Sequence, residues 1–145
     1  MATRNVETIQ GAHRAFNRRD FDAVTKLLST EHVYKDRSRN QSIPGRQGFK
    51  DYLQSWVDSF SDARVADPVY IDAGKTVIAK FMARGTNDGP LGDTPATGRQ
   101  IEVPFCELMQ FDDKGMIISG EVYYDQLTML TQLGLMKVPE LAKAA

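Results

Sequence analysis

A change in hydrophobic periodicity near residue 62 constrains the fold more than any other feature of this chain. Before it, apolar side chains recur at the spacing of helices packed on a core; examples are Val6, Ile9 and Phe16, then Phe49, Leu53 and Phe60. After it, apolar and polar residues alternate, as in strands with one buried face. Helices followed by a meander of antiparallel strands predict an α+β domain.

The same pattern predicts where the elements lie. Helices are expected at 6–16, from the N-cap Asp20 through Leu28, and at 49–60, with a short extended piece at 32–36. Strands are expected at 64–72, 76–86, 99–111 and 116–124, and a last helix at 126–133. Pro68 interrupts the first of these strands, which suits an edge strand or a bulge. Residues 1–145 are interpreted as one domain, without repeats or linkers.

Composition and charge exclude several classes of function. Of the 145 residues, 41% are hydrophobic and 26% are charged, as in a globular protein that buries a core. The net charge of −1 gives no electrostatic footprint for nucleic acid. The single Cys106 excludes an intramolecular disulfide, and the two histidines lack the spacing of a zinc site. The N-terminus has no apolar signal segment and no long apolar run occurs, so we expect a cytoplasmic protein that does not enter the membrane.

Acidic side chains in the final hairpin are the first candidates for a site. If Gly115 takes the left-handed position of a three-residue loop, Glu107 lies opposite Glu121 on an apolar face. A two-residue turn would instead place Glu121 on the other face. Two adjacent buried carboxylates raise one pKa unless a cation pairs with them. A pocket role and a structural pair neutralised by Arg64, Lys80 or Arg84 therefore both remain open.

Other polar residues allow a structural and a functional interpretation. Asp125 ends the last strand, where it can cap the final helix or meet a ligand. Tyr34 and Asp36 share one face of the extended piece, and Asp36 can be a second pocket acid or a loop anchor. His13 lies on the apolar stripe of the first helix, as a core or rim histidine or as a base.

Several short motifs, in their order along the chain, resemble the SnoaL-like polyketide cyclase family within the NTF2-like (cystatin-like) superfamily. The resemblance covers about 6–135, and its motifs are Arg19-Asp20-Phe21, Pro44-Gly45-Arg46, Ser61-Asp62, Gly85-Thr86, Pro95-Ala96-Thr97-Gly98-Arg99 and the segment from Asp125 to Gln132-Leu133-Gly134. It implies a cone in which helices close a curved antiparallel sheet, with a mixed edge, around a pocket. Members commonly form dimers or tetramers through the open sheet face.

The resemblance also implies chemistry without a metal or cofactor. Family cyclases close a polyketide ester by an intramolecular aldol reaction, with an aspartate that looks like Asp125 as acid and base. Two departures bear on this chemistry: Asn87 stands where the family usually has a pocket histidine, and Glu121 where many relatives have tryptophan.

Three hypotheses follow. The first is a cofactor-free cyclase or isomerase for a hydrophobic carbonyl compound, in which Asp125, Glu107 and Glu121 supply the acid and base. Its substrate would contact the side chains of Tyr34, Asp36, Trp56, Phe81, Asn87, Phe105 and Tyr123. The second is a module that binds a small hydrophobic molecule without turnover. If Asp125 faces solvent or only caps a helix, the first hypothesis fails and the second gains. The third is water addition, as in epoxide hydrolases of the superfamily, which needs a carboxylate–arginine–carboxylate cluster.

The open sheet face leads to a separate expectation about assembly. Ile78, Met82, Cys106 and Leu108 fall in the register opposite to the pocket. Exposed apolar area of this kind usually marks a contact surface. We therefore expect a symmetric homodimer.

Overall fold

In the computed structural model, which describes residues 2–140, helices cover one face of a six-stranded sheet. The helices are α1 (Arg4–Asn17), α2 (Phe21–Thr25), α3 (Gly45–Ser59) and α4 (Gln126–Gln132). The strands are β1 (Leu28–Asp36), β2 (Gln41–Pro44), β3 (Arg64–Ala73), β4 (Thr76–Thr86), β5 (Gln100–Phe111) and β6 (Ile117–Tyr124). The predicted α+β class is confirmed. The predicted single domain of 1–145 includes Met1 and 141–145, which lie outside the described residues.

The sheet has the strand order β2-β1-β6-β5-β4-β3 and is not closed into a barrel. Strand β1 runs parallel to β6, and every other neighbouring pair is antiparallel. The mixed sheet and its helical cover match the NTF2-like cone. The extended piece expected at 32–36 is the end of the longer β1, and β2 forms where the sequence suggested only a loop.

Local signals in the sequence explain most element boundaries. Asp20 caps α2 by accepting a hydrogen bond from the backbone N–H of Ala23, as predicted. Gly115 has φ of 82°, the left-handed conformation expected in the final hairpin. The pairing of β3 with β4 shifts between Ala66 and Val69, so Pro68 lies at a bulge on an edge strand.

The register of the final hairpin departs from the prediction. Phe111 pairs with Ile117 as expected, but Gln110 pairs with Ser119, so one extra residue bulges out of β6. A shift of one residue turns every later side chain of the strand to the other face. Glu107 therefore pairs with Val122, and the predicted pair of Glu107 with Glu121 is wrong.

The core lies between the concave face of the sheet and helices α1, α2 and α3. Alternate residues of β5 and β4 point into it, among them Val103, Phe105 and Val77. The buried cluster continues through Ile9 on α1 and Phe49 on α3. This layer of helix on sheet also encloses the candidate site.

Candidate functional site

An apolar cavity lies inside the cone, between the concave face of the sheet and helices α1, α2 and α3. Its volume is about 100 Å³, and its walls include Leu28, Phe49, Trp56, Phe81, Phe105 and Ile117. Of the side chains predicted to contact a substrate, Tyr34, Trp56, Phe81 and Phe105 line this cavity. A second cavity of about 350 Å³ with polar walls shares Arg64, Arg84 and Ile101 with it.

One carboxylate lines the inner cavity, and it is held by two neighbours. Glu107 on β5 is 7% exposed. Its Oε2 accepts a 2.6 Å hydrogen bond from the Tyr34 hydroxyl, and its Oε1 lies 3.0 Å from Nε2 of His13. Nδ1 of His13 lies 2.8 Å from the hydroxyl oxygen of Tyr70. Four side chains from β1, β3, β5 and α1 thus form one hydrogen-bonded chain, which we call the Glu107 cluster.

The surroundings of Glu107 favour its ionised form. Burial on its own would raise the pKa of this carboxyl, but hydrogen bonding and charge from His13, together with the Tyr34 hydroxyl, hold the pKa below its usual value. Burial and the nearby Glu107 charge raise the pKa of Tyr34 well above its usual value, so this hydroxyl keeps its proton. An ionised carboxylate only accepts hydrogen bonds, so both neighbours donate to it.

Asp36 is fully buried but does not line the cavity. Its Oδ2 accepts hydrogen bonds from the hydroxyls of Tyr52 (2.8 Å) and Tyr124 (2.9 Å), and its Oδ1 accepts one from the backbone N–H of Arg39. The loop-anchoring interpretation therefore fits, and the position of Asp36 does not fit the expected substrate contact. Asp36 instead holds the rings of Tyr52 and Tyr124. Tyr52 lines the cavity, and the ring of Tyr124 stacks on that of Phe105 with their centroids 4.3 Å apart.

Asp125 does not line the cavity, so its helix-capping interpretation fits and the catalytic one does not. Its side chain is exposed, and both carboxylate oxygens bind Thr128, one the backbone N–H and the other the hydroxyl. These hydrogen bonds from Thr128 lower the pKa of Asp125, which is the N-cap of α4. The physical cause is the bulge in β6, which turns Tyr124 inward and its neighbours Tyr123 and Asp125 outward.

Glu121 and Tyr123 also lie outside the cavity. Glu121 pairs with Arg37 at 2.8 Å on the outer face of the sheet, so the cations proposed from sequence are not its partner. Tyr123 is 46% exposed and lies opposite Cys106 on that same face. A catalytic Glu121 and a substrate-contacting Tyr123 do not fit these positions in this chain.

Asn87 is fully buried, but it holds a loop rather than facing the cavity. Its Nδ2 donates to the carbonyls of Ser59 and Gly89, and its Oδ1 accepts from the N–H and hydroxyl of Thr97. All of its hydrogen-bonding capacity is used in fixing the loop between β4 and β5. The position of Asn87 therefore does not fit the expected substrate contact.

The surroundings of the two histidines could not be predicted from the sequence. The sequence placed His13 on the apolar stripe of α1, and its hydrogen bond to Glu107 depends on a pairing of distant segments that no local pattern reveals. His32 is fully buried beside Tyr34 and Phe49, and neither ring nitrogen has a hydrogen-bond partner among the described residues. Burial lowers the pKa of His32 to about 4.

Neither metal nor a hydrolase-like cluster is supported at the inner cavity. Within residues 2–140, no group of three His, Cys, Asp or Glu side chains could hold a metal ion. A carboxylate–arginine–carboxylate arrangement does occur, with Arg84 between Asp67 and Glu102, but these side chains are 41–68% exposed. It meets the geometric condition for water addition, but it lies at the exposed boundary of the two cavities and does not include Glu107. No helix in the described part of the chain is long and apolar enough to span a membrane.

The sequence profile of the SnoaL-like polyketide cyclase family matches residues 7–133. The chain belongs to this family. No match was found among the curated proteins. Solved structures agree with the assignment of the fold.

A protein from Xanthomonas campestris pv. campestris, described as a candidate polyketide cyclase, is 26% identical with a TM-score of 0.80, over 90% of this chain and 96% of its own. IdmH from Streptomyces antibioticus, also described as a candidate polyketide cyclase, is 27% identical with a TM-score of 0.76, over 90% and 98%. A SnoaL-like protein from Jannaschia sp. CCS1 is 21% identical with a TM-score of 0.83, over 92% and 94%. The family and its fold are thus established for this chain.

Proposed function

We propose that this SnoaL-like protein is a cofactor-free acid/base enzyme that enolises a small hydrophobic carbonyl compound, with Glu107 as the base. The observation that carries the proposal is the placement of one ionised, hydrogen-bonded carboxylate in the wall of an otherwise largely apolar cavity. A carboxyl group in an apolar pocket is a common acid/base catalyst. Glu107 thus takes the role that the sequence suggested for Asp125.

The first step moves one proton and three electron pairs, of which a lone pair of Glu107 forms the new O–H bond. Glu107 accepts the proton from the carbon next to the substrate carbonyl, and the C–H electrons form the C=C bond of an enolate while the carbonyl π electrons move to oxygen. Once Glu107 is protonated, the Tyr34 hydroxyl loses its ionised acceptor and is free to donate to the enolate oxygen. Return of the proton to another carbon gives an isomerase, and attack of the enolate carbon on a second carbonyl gives an aldol cyclase.

Cavity size bears on the substrate. A dry core cavity of roughly 150 Å³ accommodates benzene, so the inner cavity of about 100 Å³ suits a group no larger than one ring. A larger substrate would extend into the polar cavity of about 350 Å³ through the shared boundary at Arg64, Arg84 and Ile101. We propose a substrate with a ring-sized apolar end and a more polar remainder.

Hydrogen–deuterium exchange at carbon tests this function directly. Phenylacetone and 2-cyclohexenone are incubated with the protein in D₂O, and loss of the α-proton NMR signals is followed against a buffer blank. Exchange above the blank supports enolisation. Binding of the same ketones by calorimetry with no exchange would contradict it.

That contradicting outcome defines a second candidate function, a small-molecule-binding module without turnover. Two observations favour it. Asp125 only caps α4, and both oxygens of Glu107 already accept hydrogen bonds, which lowers the basicity of the carboxylate. In that case the Glu107 cluster would hold the hydroxyl or amine group of a bound molecule. The two candidates share the ligand site and differ only in proton transfer.

We further propose that the protein forms a homodimer through the outer face of the sheet. Ile71, Ile78 and Leu108 lie in one cross-strand row on that face, and Tyr123 lies opposite Cys106 in the adjacent row. Ile71 and Tyr123 are 45% and 46% exposed. These apolar side chains, with Lys80 beside Cys106 and Glu121 beside Leu108, support a symmetric contact with a second copy.

A further inference from the structure

Glu107 is closed off from solvent, but its hydrogen-bonded partners lead outward. His13 is 9% exposed and Glu107 is 7% exposed. Tyr70 lies on β3, the edge strand of the sheet, and is partly exposed. Its hydroxyl oxygen is 2.8 Å from Nδ1 of His13, whose Nε2 is 3.0 Å from Oε1 of Glu107. The three side chains therefore form one line from the sheet edge to the carboxylate.

The direction of each hydrogen bond follows from the ionised state of Glu107. Since the carboxylate only accepts, Nε2 of His13 carries the hydrogen and donates it to Oε1. When the ring is uncharged and carries its hydrogen on Nε2, Nδ1 is an acceptor and the Tyr70 hydroxyl donates to it. Burial raises the pKa of Tyr70 to about 12, with the Glu107 charge acting in the same direction and Arg14 against it, so the hydroxyl is protonated at neutral pH.

We propose that Tyr70 and His13 form a proton relay that connects the buried Glu107 with solvent. A proton that arrives at the Tyr70 oxygen releases the tyrosine's own proton to Nδ1 of His13, and the Nε2 proton moves to Oε1 of Glu107. One proton enters and one carboxylate becomes neutral, so the step balances, and Tyr70 ends unchanged. The imidazole switches from its Nε2–H to its Nδ1–H tautomer. The reverse sequence removes a proton that Glu107 has taken from a substrate.

The relay gives Tyr70 a role in proton transfer although its side chain does not contact the substrate. Tyr70 does not line the inner cavity, whereas His13 and Glu107 do. It is a positioning residue that acts through His13, and the relay lets Glu107 exchange its proton while a substrate occupies the cavity. The relay rests on the proposed function only in that enolisation is the reason for Glu107 to gain and lose a proton. The hydrogen bonds themselves are present without substrate.

Nitrogen-15 NMR of the substrate-free protein tests the relay. The relay requires that the wild type show the Nε2–H tautomer of His13, with exchange of that hydrogen through Tyr70. In Tyr70→Phe the exchange must wait for local opening and should slow by about tenfold or more. Tyr124→Phe is the matched control, because it removes a hydroxyl that binds Asp36, and its exchange should stay within about twofold of the wild type.

Two results would overturn the relay. One is an Nδ1–H tautomer of His13 in the wild type, and the other is an unchanged exchange rate in Tyr70→Phe that keeps the wild-type melting temperature. Neither depends on turnover, so failure of the relay and failure of ketone enolisation are separate outcomes.

Discussion

The ring of Tyr34 crosses β6 to reach Glu107, and Gly120 is the residue that lets it pass. Tyr34 on β1 pairs with Gly120 on β6, and Glu107 lies on the next strand, β5. A Cβ atom at Gly120 would lie 2.8 Å from Cδ2 of Tyr34 and 2.5 Å from Sδ of Met109. The 2.6 Å hydrogen bond from Tyr34 to Glu107 therefore depends on the absence of a side chain at this position.

Gly120→Ala is expected to destabilise the fold and displace the Tyr34 ring. Overpacking of this kind typically costs about 1–3 kcal/mol, measurable by urea denaturation. The control is Gly11→Ala on α1, where the new Cβ meets only Arg14 at 3.9 Å. That change should be neutral or stabilise by up to about 1 kcal/mol, since alanine favours helix. Equal stability of the two variants would contradict the crowding at Gly120.

The burial of His32 predicts that the folded protein loses stability in mild acid. Its pKa is about 4 in the folded protein and 6.5 in the unfolded chain, because burial disfavours the charged ring. The unfolded state therefore binds more protons between these values, and stability falls as the pH drops from 6.5 to 4, by about 3 kcal/mol in total. Urea denaturation at a series of pH values measures this slope.

His32→Leu provides the check on that slope. It removes the unpartnered imidazole and should flatten the dependence between pH 6.5 and 4. The stability due to Glu107, whose pKa is lowered, is lost only at lower pH and should remain in the variant. A slope that is identical in the two proteins would assign the acid sensitivity to other groups.

Asp125 is expected to contribute to stability and not to proton transfer. Asp125→Ala removes both hydrogen bonds to Thr128 and should cost about 1 kcal/mol, the usual value for a lost N-cap. Asp125→Asn keeps a capping side chain and should stay close to the wild type in melting temperature. Loss of ketone exchange in a folded Asp125→Asn protein would return the catalytic role to this residue.

A charge on the outer sheet face should separate the proposed dimer. Ile78→Asp places a carboxylate in the row with Ile71 and Leu108, and light scattering at micromolar concentration should then report a monomer. Gln54→Lys on the exposed side of α3 is the control and should remain dimeric. A monomeric wild type would contradict the proposed contact.

The element order and fold class could be predicted because they depend on local patterns. The spacing of apolar residues, the Asp20 cap and the Gly115 turn each act within a few residues, and all are confirmed. The prediction of which side chains surround the site was only partly right. Tyr34, Trp56, Phe81 and Phe105 lie on the concave side, where periodicity places them.

The positions of the acidic residues depended on the hairpin register, which the sequence could not fix. One bulged residue after Ile117 turned Glu121 and Asp125 away from the cavity. The sequence did contain a signal for the bulge. Gly120, Val122 and Tyr124 alternate along β6 as an inward face would, and the glycine leaves room for the ring of Tyr34. The bond of His13 to Glu107 joins residues 94 positions apart, and no local rule predicts such a contact.

The exchange of ketone α-protons in D₂O, compared between Glu107→Gln and Asp125→Asn, tests the central claim most directly. Glutamine keeps the shape of Glu107 but cannot accept the proton, so exchange in Glu107→Gln should fall by roughly a hundredfold or more, as expected for a lost general base. Asp125→Asn should retain the wild-type rate. Exchange that survives in Glu107→Gln and disappears in Asp125→Asn would contradict the account.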